Sequence, residues 1–338
     1  MVPLRRTVRS VVALAMLASA TCSSGDGDGE GDAVGDAASN APTDTTTAST
    51  APDRPDGPAA TFEPLAGGAG ISLAATSTAE LEAVGWVEEE YAAFGTAVSY
   101  RSAGALPADG HYELTEDASA DYRTRIVVRR PADDAEFNGT VVLEWLNVSG
   151  GLDASPDWTY MSDELIRGGY AWVGVSAQLI GVEGGESAVQ VEIEAAEGLT
   201  GLGLRGVDPE RYGSLSHPGD AFAYDIFTQV GRALRDEGSE GSEGSSEALG
   251  GLAVERILAV GESQSGIALT TYVNGVQPLT GAFDGSSSTA GGRRRCHSAS
   301  RAKGCRSPTP SPCSRPRSEP TSPFPSSCSR PRPTWSGS

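Results

Sequence analysis

Val260-Gly261-Glu262-Ser263-Gln264-Ser265-Gly266 is the stretch whose residue types and spacing could do chemistry. A serine hydroxyl attacks a carbonyl only if it stands clear of its neighbours, on a turn that presents it. A G-x-S-x-G turn does this. It is so sharp that the positions two before and two after the serine must be small. Gly261 and Ser265 meet that need around Ser263, with Ser265 in place of the usual last glycine. The chemistry would be acyl transfer. Ser263 is the candidate nucleophile, and the amino end of the helix that follows would help hold a developing oxyanion. The competing reading is an ordinary Ser/Gly turn that caps a helix.

Such a turn needs a strand before it and a helix after it. Arg256–Val260 is short, apolar and strand-like, and 265–274 reads as a helix. Upstream, Leu81–Phe94 reads as helical and Tyr122–Arg129 alternates like a strand. Asn138-Gly139 marks a turn, and Thr140–Leu146 reads as a buried strand. Pro156–Arg167 has Pro in its first turn and Gly168-Gly169 behind it, which predicts a helix. Tyr170–Val175 reads as a strand and Asp220–Arg235 as a helix. Alternating strands and helices predict an α/β fold, a mostly parallel sheet covered on both faces. Residues 180–219 read as an excursion from the sheet, and 236–251 as a low-complexity surface loop.

Three motifs together resemble the actinobacterial α/β-hydrolase-domain proteins with a GESQS elbow. They are Gly261-Glu262-Ser263-Gln264-Ser265, Leu143-Glu144-Trp145-Leu146-Asn147-Val148, and the run from Gly168 to Gln178. The resemblance covers about Phe62 to Gly285. It implies an α/β-hydrolase fold and a serine esterase with Ser263 as nucleophile. It also implies the Gln264 backbone N–H as one oxyanion donor, a second near the Asn147 backbone, a small ester as substrate and no cofactor. The alternative is a non-catalytic envelope lipoprotein that binds a small ligand with the same fold.

The family order is Ser, acid, His. Only His297 follows Ser263, while His111 and His217 precede it. Neither a catalytic acid nor a catalytic His is identified, so the chain is expected to be inactive or nearly so.

The 338 residues hold 43 Gly, 21 Pro and only 6% aromatics, too few large apolar residues for the whole length to pack. A net charge of −20 excludes a generally basic nucleic-acid binder. Residues 1–22 have the basic start and short apolar run of an export signal. They end either at Ala18-Ser19-Ala20, for plain secretion, or at Cys22, for lipidation and an envelope location. Residues 23–60 predict a disordered acidic linker, and 61–285 a partial hydrolase domain.

Residues 286–338 change character. Ten basic residues stand against Glu319 alone, a charge of +9, which leaves −29 for the rest. Cys296, Cys305, Cys313 and Cys328 contain no C-x-x-C pair, a poor metal signal. The segment predicts a disordered tail, and a frame change explains its composition. Read one base earlier, TCN serine codons become NTC, which encode only Phe, Leu, Ile or Val. Residues 286–291 can then read FLVHSR, and 324–337 can read VPVLVLQTETDLVG. These resemble the two strands that should follow the elbow. As written, the elbow strand is expected to lack a partner on its outer edge.

Overall fold

A computed structural model describes residues 56–74, 80–189, 198–236 and 247–289. The export signal with Cys22, nearly all of the predicted linker, and His297 lie outside the described residues.

Seven strands form one sheet: β1 (Thr61–Pro64), β2 (Trp86–Ser102), β3 (Leu114–Pro131), β4 (Thr140–Trp145), β5 (Ala171–Val175), β6 (Arg256–Glu262) and β7 (Gly285–Thr289). Their order is β1-β2-β3-β5-β4-β6-β7. The β1–β2, β2–β3 and β3–β5 pairings are antiparallel, whereas β5–β4, β4–β6 and β6–β7 are parallel. The chemistry-bearing turn follows β6, so it belongs to the parallel half.

Among the described residues the helices are α1 (Pro156–Arg167), α2 (Leu179–Glu183), α3 (Gly203–Val207), α4 (Pro209–Tyr212), α5 (Ala223–Asp236), α6 (Gln264–Gly275) and α7 (Gln277–Thr280), and α1, α5 and α6 cover the two faces of the sheet. All six residues of β4 are buried, and alternate ones face opposite ways. Val141, Leu143 and Trp145 pack with Phe227, Val230 and Leu234 of α5 (Ala223–Asp236) and with Leu269 and Tyr272 of α6 (Gln264–Gly275). Val142 and Leu146 pack the other way, with Trp158 and Leu165 of α1 (Pro156–Arg167). This two-sided burial is why β4 reads as an unbroken apolar run.

Two sequence expectations are corrected. Residues 81–94 are not a helix: a 3-10 turn, Leu81–Val84, ends at the left-handed Gly85, and the chain enters the 17-residue β2. The helical spacing there competes with long antiparallel pairing to β3, and the pairing wins. The outer edge of β6 is also not bare. Residues 285–289 pair with it in parallel register from Leu258↔Gly285 to Glu262↔Thr289. The serines of β7 contribute backbone, which any residue can offer, and their side chains are exposed.

A buried ion cluster ties the antiparallel half to the loop after β4. Arg125 of β3 is fully buried and donates to Glu90 Oε1 at 2.9 Å and Asp153 Oδ2 at 2.5 Å. Ser176 Oγ also donates to Asp153 Oδ2, at 2.5 Å. The 147–155 loop is thereby held on the sheet.

Candidate active site

Ser263 stands between β6 and α6 with φ 57° and ψ −115°. Among the described residues it is the one non-glycine with positive φ. A side chain is held in that conformation only where the surroundings enforce it, and here they do. A Cβ on Gly261 would meet the Ser265 carbonyl at 3.1 Å, and one on Gly266 would meet the Gly261 oxygen at 2.9 Å. Ser265 is fully buried, and its hydroxyl donates to the Glu262 carbonyl at 2.8 Å. It accepts from the Glu262 N–H at 3.2 Å. The serine that replaces the usual glycine therefore stitches the turn together. Ser263 N–H donates to Thr289 O at 2.7 Å, so β7 also helps fix Ser263.

Gln264 is the first residue of α6, and its N–H is among the first-turn amides that have no acceptor within the helix. An oxyanion at that helix end would also meet the positive end of the helix dipole.

The Asn147 expectation is corrected. Its backbone N–H is committed to Ala154 O at 2.9 Å and is not free to receive an oxyanion. Its side chain has a positioning role instead. Nδ2 donates to Glu262 O at 2.9 Å, while Oδ1 accepts from Ser149 N–H at 2.9 Å. Asn147 thus clamps the elbow to the loop that faces it.

Between that loop and the elbow lies a cavity of about 360 Å³. Ser263 and Glu262 form one side. Asn147, Ser149, Leu152 and Pro156 are on the other, with Tyr160 and Val189 also in the wall. Tyr160 and Val189 are well exposed, which leaves the cavity open to substrate.

A sequence model of the alpha/beta hydrolase domain matches residues 57–327. The chain belongs to this family. The match continues past Gly285 into the arginine-rich segment. Among curated proteins no relative matches. Solved structures give slight likenesses. A glucuronoyl esterase from Solibacter usitatus has 10% identity and a TM-score of 0.30, covering 69% of this chain and 52% of that one. The rice cell wall degrading esterase LipA from Xanthomonas oryzae has 15% identity and a TM-score of 0.30, covering 62% and 46%. The chain spans about half the length of these esterases.

Three carboxyl groups run inward from the elbow, Glu262 acting on Asp157 and Asp157 on Glu144. Glu144 of β4 is fully buried and accepts from the backbone N–H groups of Asp157 at 3.0 Å and Trp158 at 2.9 Å, and from Trp172 Nε1 at 2.9 Å. It caps the amino end of α1 from the adjacent strand. Burial, then the charge of Asp157, pushes its pKa up to about 8, against the pull of the three N–H donors. Asp157 is raised to about 6 by burial and then by Glu262, and Glu262 is raised by burial. Asp157 Oδ2 and Glu262 Oε2 are both buried without a hydrogen-bond partner. In the sequence, Glu144 and Glu262 stand out only as members of motifs, and the one local signal for Glu144 is a lone glutamate within an apolar strand.

The described histidines are elsewhere. His217 is buried, its Nε2 lies 2.9 Å from Ala177 O, its Nδ1 accepts from Gly219 N–H, and burial lowers its pKa. His111 is exposed beside Asp109. Neither lines the cavity.

Proposed function

We propose that this chain carries the nucleophile half of an esterase site that works through an acyl-serine, and that it turns over little as written. The observation that carries the reading is the backbone of Ser263, strained at the edge of an open cavity between a buried parallel strand and a helix amino end. In the reaction, Ser263 Oγ attacks the ester carbonyl and its proton passes to a base. The oxyanion is held by the Gln264 N–H and the dipole of α6, and collapse releases the alcohol. Water then cleaves the acyl-serine by the same steps. No described histidine lines the cavity to act as that base. Loss of a triad member elsewhere costs orders of magnitude in rate.

A fluorophosphonate probe followed by intact-protein mass analysis tests this. Slow, substoichiometric labelling confined to Ser263 and absent from Ser263→Ala is expected. Rapid stoichiometric labelling overturns the inactivity, and labelling that survives Ser263→Ala overturns the nucleophile.

The frame change is part of the same proposal. The shifted frame calls for an apolar strand at 286–291, and β7 occupies 285–289 with serines where a parallel strand is ordinarily apolar. The coding DNA decides it: failure to encode both strings one base earlier refutes the frame change. Export and attachment through Cys22 are likewise proposed from residues 1–22. Radiolabelled palmitate incorporation, lost in Cys22→Ala, is the expected result.

A further inference from the structure

Among the described residues of the cavity wall, Glu262 is the single charged side chain, and no Lys or Arg faces it there. The other side chains of the wall mix apolar Leu152, Pro156 and Val189 with the neutral polar Ser149, Thr159 and Thr200. A substrate in this space meets one group that discriminates by charge.

No cation of the described wall neutralises that group. Glu262 is half-buried: its Oε2 is shut away without a hydrogen-bond partner, the rest of the side chain keeps some exposure, and its charge acts on the carboxyl of Asp157. Asp157 Oδ2 also lacks a partner, and Glu144 beyond it is already filled by three N–H donors. Nothing on β4, α1 or the elbow supplies Glu262 with a cation. The backbone of Glu262 is fixed meanwhile: its carbonyl accepts from Asn147 Nδ2 and Ser265 Oγ, and its N–H is held by Ser265. A fixed main chain thus carries the one charged side chain of the described wall, next to Ser263.

We propose that Glu262 is the specificity residue of this cavity, selecting esters that carry a hydrogen-bond donor, a hydroxyl or an ammonium, and rejecting esters that carry an anion. This rests on the esterase reading of Ser263. The logic is the asymmetry of polar recognition: an apolar isostere leaves the carboxyl unpaired, and an anion adds repulsion. A cavity of about 360 Å³ limits the bound part to a small group.

Four size-matched esters test it: ethyl butanoate, ethyl 3-hydroxybutanoate, ethyl 3-aminobutanoate and monoethyl succinate. Binding to the full chain is read by ligand-observed NMR titration, which needs no turnover. The hydroxyl and ammonium esters should bind about tenfold tighter than ethyl butanoate, and the succinate more weakly than it. Glu262→Gln should erase the ammonium preference yet keep part of the hydroxyl preference. Glu262→Ala should erase both, with thermal melting confirming that each variant is folded. An unchanged order in Glu262→Ala, tightest binding of the succinate, or no binding by any ester overturns the proposal. Those outcomes leave the labelling of Ser263 untouched, so a failed specificity and a failed nucleophile are separately visible.

Discussion

Glu144 makes the stability of this fold depend on pH in a direction opposite to that of most carboxylates. Its pKa is raised from the ordinary 4.5 to about 8 because it is buried and faces Asp157. The folded state therefore favours the protonated acid. Its contribution is fully present below about pH 4.5 and is lost as pH rises through about 8. A rise of this size corresponds to on the order of 5 kcal/mol, most of it between pH 5 and 9. For a domain of this length that is a fall of roughly 10–15 °C in melting temperature. Glu144→Gln keeps the shape and an acceptor but cannot ionise. At pH 5 the two proteins should differ by only about 1–2 kcal/mol, the cost of turning an amide NH₂ toward one of the three N–H donors. By pH 9 the wild type should have lost several kcal/mol relative to Glu144→Gln. Urea midpoints at half-unit pH steps measure this. Asp157 and Glu262 titrate in both proteins, so the difference reads Glu144 together with its coupling to Asp157. Parallel profiles would show that the three N–H donors hold Glu144 ionised throughout, and would refute the reasoning.

Other perturbations follow from the same geometry. Ser263→Gly should raise stability by about 1 kcal/mol in denaturant melts, because glycine adopts φ 57° freely, whereas Ser263→Ala should give no gain. Gly266→Ala should cost roughly 1–3 kcal/mol, since its methyl would press on the Gly261 oxygen, and should lower probe labelling of Ser263. Arg125→Met should cost about 3–5 kcal/mol in urea unfolding, because it leaves the carboxylates of Glu90 and Asp153 buried without their cation.

The parallel half of the fold was legible because its signals are local. The two-sided burial of β4 leaves an unbroken apolar run, Pro156 and Gly168 bracket α1, and small residues flank Ser263. The antiparallel half was harder. β2 is stabilised by partners about 35 residues away in β3, so its apolar spacing mimicked a helix. β7 was missed because a strand of serines carries no side-chain signal and exists through its ladder to β6. At the site, the sharp turn at Ser263 and its small neighbours follow from the motif. The backbone engagement of Asn147 does not, because it depends on how the loop folds back onto Ala154. Nor does the carboxyl group of Glu144 as a cap for α1, which joins residues from different elements.

The hydrogen bond from the Ser263 amide to Thr289 has a dynamic consequence. β7 is five residues long, with its four Ser and Thr side chains turned to solvent, so little apolar contact resists its opening. Each time it peels away, the Ser263 N–H is released to water. Amide hydrogen exchange at Ser263 should therefore follow the local opening of β7 rather than global unfolding. On the esterase reading proposed above, Ser263 would hold its reactive posture only for the fraction of time that this edge is closed.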